Sequence, residues 1–174
     1  MLGSQLKQQT VRYLKNLLSI LFGTFKDSTS SLPGEVQPDE SLSTFVTQSR
    51  DVVKATNTVR HTRLMPRRRG KAPKGRLETS VCRSTNLAEA RVWEICSEHF
   101  DKHARKPAIG RGVGPASVVY EVGLGFDADS KPYPEHANII GWHDSIDRPD
   151  AELKHYWMDQ AQKMAPMFSY IPRP

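Results

Sequence analysis

Hydrophobic residues near the start of the chain recur at intervals of three and four positions, which is the spacing of one face of a helix. The repeat predicts an amphipathic helix near residues 4 to 25, within an N-terminal segment that we bound at residues 1–26. Such a helix is not stable alone in water, so it must dock on its own domain, a second copy, another protein or a membrane surface. The side chains proposed to bind a partner are Leu14, Leu17, Leu18, Leu21, Phe22 and Phe25.

The helical pattern disappears between residues 27 and 41, where Ser and Pro dominate and almost nothing apolar is available for burial. That composition is typical of a linker. We therefore predict that a compact domain occupies residues 42–174 and that the linker attaches the N-terminal helix to it.

Short alternating stretches predict strands at the start of this domain. Residues 58–65 alternate and are rich in β-branched Thr and Val, and Pro66 ends the run. Residues 77–83 form a second predicted strand, antiparallel to the first and joined to it by a basic loop at residues 67–75. Residues 43–49 suit either a strand or a short helix.

Two longer stretches have helical spacing. The first begins with Ser84 or Thr85 as its cap, and its buried stripe contains Leu87, Ala90, Val92, Trp93, Ile95, Cys96 and Phe100. The second is predicted over residues 149–164 and ends before Pro166. Its apolar side contains Leu153, Tyr156, Trp157, Ala161 and Met164.

Glycine and proline divide the region between these two helices. Residues 110–114 are predicted to be a loop, and Pro115 the first residue of a short helix through about residue 122. The loop lacks the Lys-Ser/Thr ending of a phosphate-binding P-loop, which favours a plain connection over a phosphate site. Two further strands are predicted at residues 124–126 and 137–142. The sum is an α+β fold: a small, mostly antiparallel sheet packed by two main helices.

Positive charge is concentrated in two places. The chain has 25 Lys and Arg against 19 Asp and Glu, a net charge of +6. No acid interrupts a basic run that contains Arg60, Arg63, Arg67, Arg68, Arg69, Lys71, Lys74 and Arg76. A second basic group contains Lys102, Arg105, Lys106 and Arg111, whereas residues 127–159 are mainly acidic.

The basic run is the proposed nucleic-acid-binding site, for DNA or RNA. Cations crowded on a hairpin loop repel one another unless anions approach, and counterion release rewards contact with a nucleic-acid backbone. A solvated loop and a loop that docks on an acidic protein surface are the alternatives. No aromatic side chain lies inside the loop to stack on bases, so sequence-specific recognition is not expected.

A metal site is one alternative source of chemistry. Cys96, His99 and His103 have a C-x2-H-x3-H spacing, which would place three zinc-type ligands on neighbouring turns of one helix. A fourth ligand is not evident, although Cys82 or His136 would serve. A buried cysteine beside two surface histidines explains the same spacing, and no metal or other cofactor is predicted.

Acid–base catalysis is a second alternative. A carboxylate can orient a histidine as a general base, and the sequence places His136 beside Glu135 and His143 beside Asp144. Histidines that only hydrogen-bond the ends of a strand fit equally well. No local nucleophile signature accompanies them, and no catalytic residue is assigned.

Nothing in the sequence predicts secretion or a membrane span. No apolar stretch approaches the roughly 18 residues that a span requires, and the first residues lack the order of a secretory signal. Cys82 and Cys96 are the two cysteines, too few for a disulfide framework. We therefore expect a cytoplasmic protein.

Several of these segments together resemble a group of small uncharacterised bacterial proteins. The likeness rests on residues 58–66, on Leu-Glu-Thr-Ser-Val-Cys-Arg at 77–83, on the helix start at 87–93 and on Glu-His-Ala-Asn-Ile-Ile-Gly-Trp at 135–142. It covers roughly residues 42 to 165. The resemblance implies a shared compact domain in a bacterial or phage-related setting and carries no activity with it. The N-terminal helix, the linker and the arginine tract look like departures from the pattern of the group.

The leading hypothesis is a non-enzymatic accessory or adaptor protein of a bacterial multi-subunit system. It would bind nucleic acid non-specifically through the basic loop and a partner protein through the N-terminal helix. One alternative is a metal-assisted hydrolase or nuclease that uses His99, His103 or His136. The other is a self-associating structural protein whose N-terminal helices pair.

Overall fold

A nine-stranded antiparallel sheet dominates the residues that the computed structural model describes, which are 34–69, 75–145 and 147–174. The strands are β1 (Ser41–Val46), β2 (Val52–Val53), β3 (Thr58–Val59), β4 (Arg67–Arg69), β5 (Arg76–Arg83), β6 (Gly110–Pro115), β7 (Gly125–Asp127), β8 (His136–Ile140) and β9 (Ser169–Pro172). Their order is β2-β3-β9-β6-β1-β5-β8-β7, and β4 pairs with β5 outside this path. The helices are α1 (Glu89–Ile95), α2 (Ser117–Glu121) and α3 (Asp150–Met164). The predicted α+β class with an antiparallel sheet is confirmed.

Helices pack on both faces of the sheet. Residues opposite one another in a ladder share a face, so the register sorts the side chains of β1, β5 and β8. On one face, Phe45 and Cys82 form a small cluster with Trp93 of α1. On the other face, Leu42 and Ile139 belong to the main core, which includes the buried side of α3. The domain therefore has three layers, helix, sheet and helix.

Helix α3 confirms the helix predicted over residues 149–164. It follows Pro149 and has Asp150 and Glu152 in its first turn, where the helix dipole favours carboxylates. Four side chains of the predicted stripe are buried: Leu153, Trp157, Ala161 and Met164. Burial of a large apolar side chain contributes roughly 1.5–3 kcal/mol to the free energy of unfolding. Tyr156, the fifth, is 40% exposed.

The glycine-rich segment predicted to be a loop is a central strand. β6 lies between β1 and β9 and pairs with β1 along its whole length. A Cβ atom on Gly112 would lie 2.3 Å from Val59, and one on Gly114 would lie 2.8 Å from the ring of Phe168. The prediction treated these glycines as chain breakers. They instead allow other groups to approach the backbone of the strand.

The short helix α2 starts at Ser117, two residues later than predicted. Gly123 ends it with a φ of +77°, a backbone conformation that glycine adopts without steric cost. Its N–H donates to the Tyr120 carbonyl at 3.0 Å, and the N–H of Leu124 donates to the Val119 carbonyl at 3.1 Å. This paired Schellman arrangement satisfies two carbonyls of the last turn.

The helix predicted after residue 84 begins later than expected. It starts as α1 at Glu89 and continues as a π-helical segment over Cys96–Asp101. Ser84 and Thr85 do not cap it, because their hydroxyls bond to the backbone of β1. Thr85 Oγ1 accepts the N–H of Ser41 at 2.6 Å, and Ser84 Oγ donates to the Ser41 carbonyl at 3.2 Å.

The hairpin predicted around the basic loop has a different first strand. Of the predicted strand 58–65, Thr58–Val59 pairs as a strand, and a 3-10 turn at His61–Arg63 follows it. The partner of β5 is β4, which occupies the start of the predicted loop 67–75. Arg68 and Arg69 of β4 have carboxylate partners in the fold, which reduces the repulsion between neighbouring cations when the strand pairs.

The fold also begins earlier than the predicted boundary at residue 42. Val36 is 1% exposed and belongs to the main core. Glu40 forms a buried ion pair with Arg83, with 2.6 Å between Oε1 and Nη2. The end of the predicted linker is therefore part of the folded domain. The helix predicted within residues 1–26, with its six partner-binding side chains, lies outside the described residues.

No helix within residues 34–69, 75–145 and 147–174 is both long enough and apolar enough to cross a membrane.

Candidate functional site

A cleft of about 930 Å³ lies over the polar part of one face of the sheet. Its floor uses alternate positions of β5, β8 and β7, which share this face in the observed register. The floor residues are Glu78, Ser80, Asp127, His136 and Asn138. The walls come from the π-helical segment and the residues after it, from β4, from the end of β1 and from the connection between β7 and β8.

Among the described residues that line this cleft, positive side chains outnumber carboxylates by seven to three. The cations are Arg63, Arg67, Arg69, Arg76, Arg105, Lys106 and Lys131, and the carboxylates are Glu78, Asp127 and Asp129. Three histidines and two aromatic rings line it as well: His99, His103, His136, Phe100 and Tyr133. Such a lining favours an anionic ligand.

Arg68, in the middle of the predicted nucleic-acid-binding run, faces away from the cleft and is neutralised by the fold. Its Nη2 lies 2.9 Å from Asp144 Oδ1 and 2.6 Å from Asp150 Oδ1, and its Nη1 donates to the Gly75 carbonyl. The hydrogen bonds raise the pKa of Arg68 and lower the pKa of Asp144. Arg68 thus ties β4 to the start of α3.

Two other arginines of the run line the cleft but have carboxylate partners. Arg69 Nε lies 3.3 Å from Glu78 Oε1, and Arg76 Nη1 lies 2.7 Å from Asp127 Oδ2. Both pairs are partly exposed, so each is worth little in stability. The expectation of a run presented without compensation is therefore wrong for Arg68, Arg69 and Arg76.

The two ends of the run differ from its middle. Arg60 is exposed and donates from Nε to the Arg50 carbonyl at 2.8 Å. Arg63 turns inward and donates from Nη2 to the Phe45 carbonyl. Lys71 and Lys74 lie outside the described residues.

Four cations of the cleft have no side-chain hydrogen bond or ion pair with any residue in the described ranges: Arg67, Arg105, Lys106 and Lys131. Arg67 comes from the predicted run, and Arg105 and Lys106 come from the second basic group. Lys131 belongs to neither of these two basic groups. The fold brings three separate segments together around one surface.

Arg111, also in the second basic group, has a structural role. It is 7% exposed, and its Nη1 donates to Ser43 Oγ at 2.6 Å while its Nη2 bonds Glu89. Glu89 also accepts the indole N–H of Trp93 at 2.7 Å. This network holds α1 on the sheet, so Arg111 is not available to a phosphate.

His136 lies on the floor of the cleft with a fixed orientation. Its Nδ1 is 2.9 Å from the Asp129 carbonyl, and because a carbonyl oxygen only accepts, Nδ1 is the nitrogen that donates this hydrogen bond. Its Nε2 has no partner among the described residues and is not enclosed. The ring of Tyr133 lies between His136 and His99, with centroids 5.4 Å and 4.8 Å away. These rings form an aromatic wall beside the cations.

The structure does not assemble the metal site suggested by the C-x2-H-x3-H spacing. His99 and His103 line the cleft, but Cys96 is buried on the core side, because the π-helical turn changes the phase of the helix. Burial raises the pKa of the Cys96 thiol to about 12, so the thiolate form of this ligand is scarce. In the described part of the chain, no group of three or more His, Cys, Asp or Glu side chains is placed to hold a metal ion.

The two histidine–carboxylate neighbours in sequence are not partners in space. Asp144 is bonded to Arg68, and the ring of His143 packs on Tyr156 at 4.5 Å. Glu135 is buried and lies 3.8 Å from Arg91. Neither pair orients a general base.

Comparison of the chain with protein families, with curated proteins and with solved structures gives no match in any of the three.

Proposed function

We propose that this chain is a non-enzymatic accessory protein that binds nucleic acid non-specifically in the cleft. The observation that supports this most is the convergence, on one concave surface, of four cations that have no ion pair with any residue the structure describes. They are Arg67, Arg105, Lys106 and Lys131. Like charges held close together are relieved by a polyanion, and release of its counterions favours binding.

The proposal differs from the sequence-based hypothesis in the residues it uses. It combines the hairpin residue Arg67 with Arg105 and Lys106, which follow the π-helical segment. The wall formed by His99 and Tyr133 supplies flat rings beside them, which suits unpaired bases. A single strand therefore fits the cleft chemistry better than a duplex.

The adaptor role through the N-terminal helix remains part of the proposal, for a bacterial multi-subunit system. Its support is the hydrophobic pattern of the sequence alone. Deleting residues 1–30 should leave nucleic-acid binding by the cleft intact, because the described residues that line the cleft supply its cations.

Salt-dependent binding tests the cleft. Affinity for mixed-sequence single-stranded DNA and RNA is measured by fluorescence anisotropy across a salt series. In the wild type, log Kd should rise linearly with log salt concentration. The combined variant Arg67→Gln, Arg105→Gln, Lys106→Gln should lower that slope by about 0.7 per lost phosphate contact.

The matched control removes the same charge from elsewhere. The variant Lys54→Gln, Arg148→Gln, Lys154→Gln changes three exposed cations that do not line the cleft. It should retain the wild-type slope. An equal decrease of the slope in both variants would mean that binding depends on net charge alone, and would refute a cleft site.

A further inference from the structure

A 3-10 turn closes a gap where the sheet divides. β1 pairs with β5 only at Leu42 and Ser43, and then continues along β6 alone. β4 pairs with the opposite end of β5. The turn His61–Arg63 and the residue after it connect the strands on the two sides of this gap.

Two hydrogen bonds fix the turn in place. Thr79 Oγ1 of β5 donates to the Leu64 carbonyl at 3.0 Å. Arg63 Nη2 donates to the carbonyl of Phe45 in β1. The guanidinium of Arg63 is therefore held at the wall of the cleft.

The charge of Arg63 has no carboxylate partner within ion-pair distance in the described ranges. Its Nε is buried and without a hydrogen-bond partner. Burial lowers its pKa, Asp51 opposes that effect, and the nearby charge of Arg67 adds to it. A buried cation is costly unless an anion compensates it. Its Nη1 has no described partner and is not enclosed, so it is available to a ligand in the cleft.

Neutral polar groups line the cleft beside this guanidinium. Thr44, Thr47 and Gln48 flank the Phe45 carbonyl in sequence and all contribute to the lining. Their side chains bond to no residue that the structure describes. Hydroxyl and amide groups of this kind can donate to phosphate oxygens.

Arg67 supplies a second cation. It faces Glu78 across the β4–β5 ladder, but the Glu78 carboxylate lies 3.3 Å from Arg69. Arg67 itself is exposed and unpaired among the described residues. Two guanidinium groups and three neutral polar groups thus line the wall at the gap.

We propose that this wall is a binding site for one phosphate monoester, held by Arg63 and Arg67 with Thr44, Thr47 and Gln48. A phosphate monoester carries about −1.5 to −2 charges at neutral pH and three strong acceptor oxygens. It therefore compensates two guanidinium groups better than a singly charged phosphodiester does. The inference rests on the proposed function in one respect: on a nucleic acid, a monoester is a phosphorylated strand end.

Three versions of one single-stranded oligonucleotide test this site. They carry a 5′-phosphate, a 3′-phosphate or two hydroxyl ends, and binding is measured at one salt concentration. One phosphorylated form should bind about tenfold more tightly than the hydroxyl form, the effect of charge-assisted hydrogen bonds. Arg63→Gln should abolish the difference, and Arg105→Gln should weaken all three forms while preserving it.

A second variant, at more exposed positions, tests the site if Arg63→Gln fails to fold. Gln48 is exposed, so Gln48→Ala combined with Thr47→Val should fold and should reduce the preference for a phosphorylated end. Equal affinities of the wild type for all three ends would overturn the phosphate site and leave the proposed function standing.

Inorganic phosphate separates the two proposals further. Thermal unfolding is followed with phosphate and with sodium chloride at matched ionic strength. Saturable stabilisation by phosphate that Arg63→Gln removes, without binding of any oligonucleotide, would refute the proposed function and support the site. Equal stabilisation by both salts, without an end preference, would refute the site.

Discussion

Arg63, Arg67 and Arg68 lie close together in the sequence and occupy three different environments. Arg63 turns inward and has no carboxylate partner among the described residues, Arg67 is exposed in the cleft, and Arg68 bridges two carboxylates. The partners of Arg68, Asp144 and Asp150, are 76 and 82 residues away in the chain. The charge of each arginine is visible in the sequence, but its compensation depends on tertiary pairing, which local patterns do not encode.

The cleft could be foreseen only in pieces. His99, His103 and His136 were candidate residues and do meet in it. Lys131 and Tyr133 carried no signal, because each stands alone in a connection between strands. Which residues meet in the cleft depends on the register of the sheet and on the direction of the chain after the π-helical segment.

Two buried thiols should make stability fall at alkaline pH. Burial raises the pKa of both Cys82 and Cys96 to about 12. A cysteine in the unfolded chain has a pKa of about 8.5, so the unfolded chain releases these protons at a lower pH than the folded chain does. The thiol contribution is full below a pH of about 8.5 and is lost as the pH rises toward 12. Urea unfolding at a series of alkaline pH values should show a fall that is shallower in Cys82→Ala.

A thiol reagent supplies the check on this prediction. At mildly alkaline pH the native protein should react slowly and the urea-unfolded protein rapidly, because the thiolate is the reactive form. Equal rates for the native and the unfolded chain would show that the thiols are accessible and ionise normally.

At the scale of elements, sequence patterns succeeded where one periodicity ran long enough. α3 and β5 match their predicted positions within about a residue. β9 was missed because four residues that end in proline give no usable alternation. β6 was missed because its glycines serve packing contacts with residues distant in the sequence.

Gly114→Ala should destabilise the sheet. The added Cβ would lie 2.8 Å from the Met167 carbonyl oxygen and from the Phe168 ring. Overpacking of this kind costs about 1–3 kcal/mol in the free energy of unfolding, measured with urea. Gly125→Ala in β7 is the control, since its Cβ would meet nothing within 4 Å. An equal decrease in the free energy of unfolding at both positions would mean that replacing glycine, and not the contact with Phe168, is responsible.

At the scale of the whole molecule, the start of the domain is secured by one buried ion pair. Both oxygens of Glu40 accept from Arg83, at 2.6 and 2.7 Å, and Arg83 Nη1 also donates to the Gly34 carbonyl. The composition of residues 27–41 suggested a linker because polarity alone does not reveal that a carboxylate has a buried partner. The pair connects this segment to β5, in the middle of the sheet.

Glu40→Gln should be strongly destabilising. It leaves the Arg83 charge buried without compensation, which costs about 3–5 kcal/mol. Glu35→Gln changes an exposed carboxylate of the same segment and should alter the free energy of unfolding by less than about 0.5 kcal/mol. Thermal and urea unfolding of both variants measure the difference. A Glu40→Gln protein as stable as the wild type would show that the segment does not secure the fold.

The outermost strands of the main sheet path are very short: β2 has two residues and β7 has three. An unpaired sheet edge is a template on which another chain can add a strand, and long flat edges invite fibrils. Edges of this length offer few backbone groups to an incoming strand. Short outer strands thereby limit edge-to-edge aggregation of the nine-stranded sheet, even when many copies of the chain are crowded together.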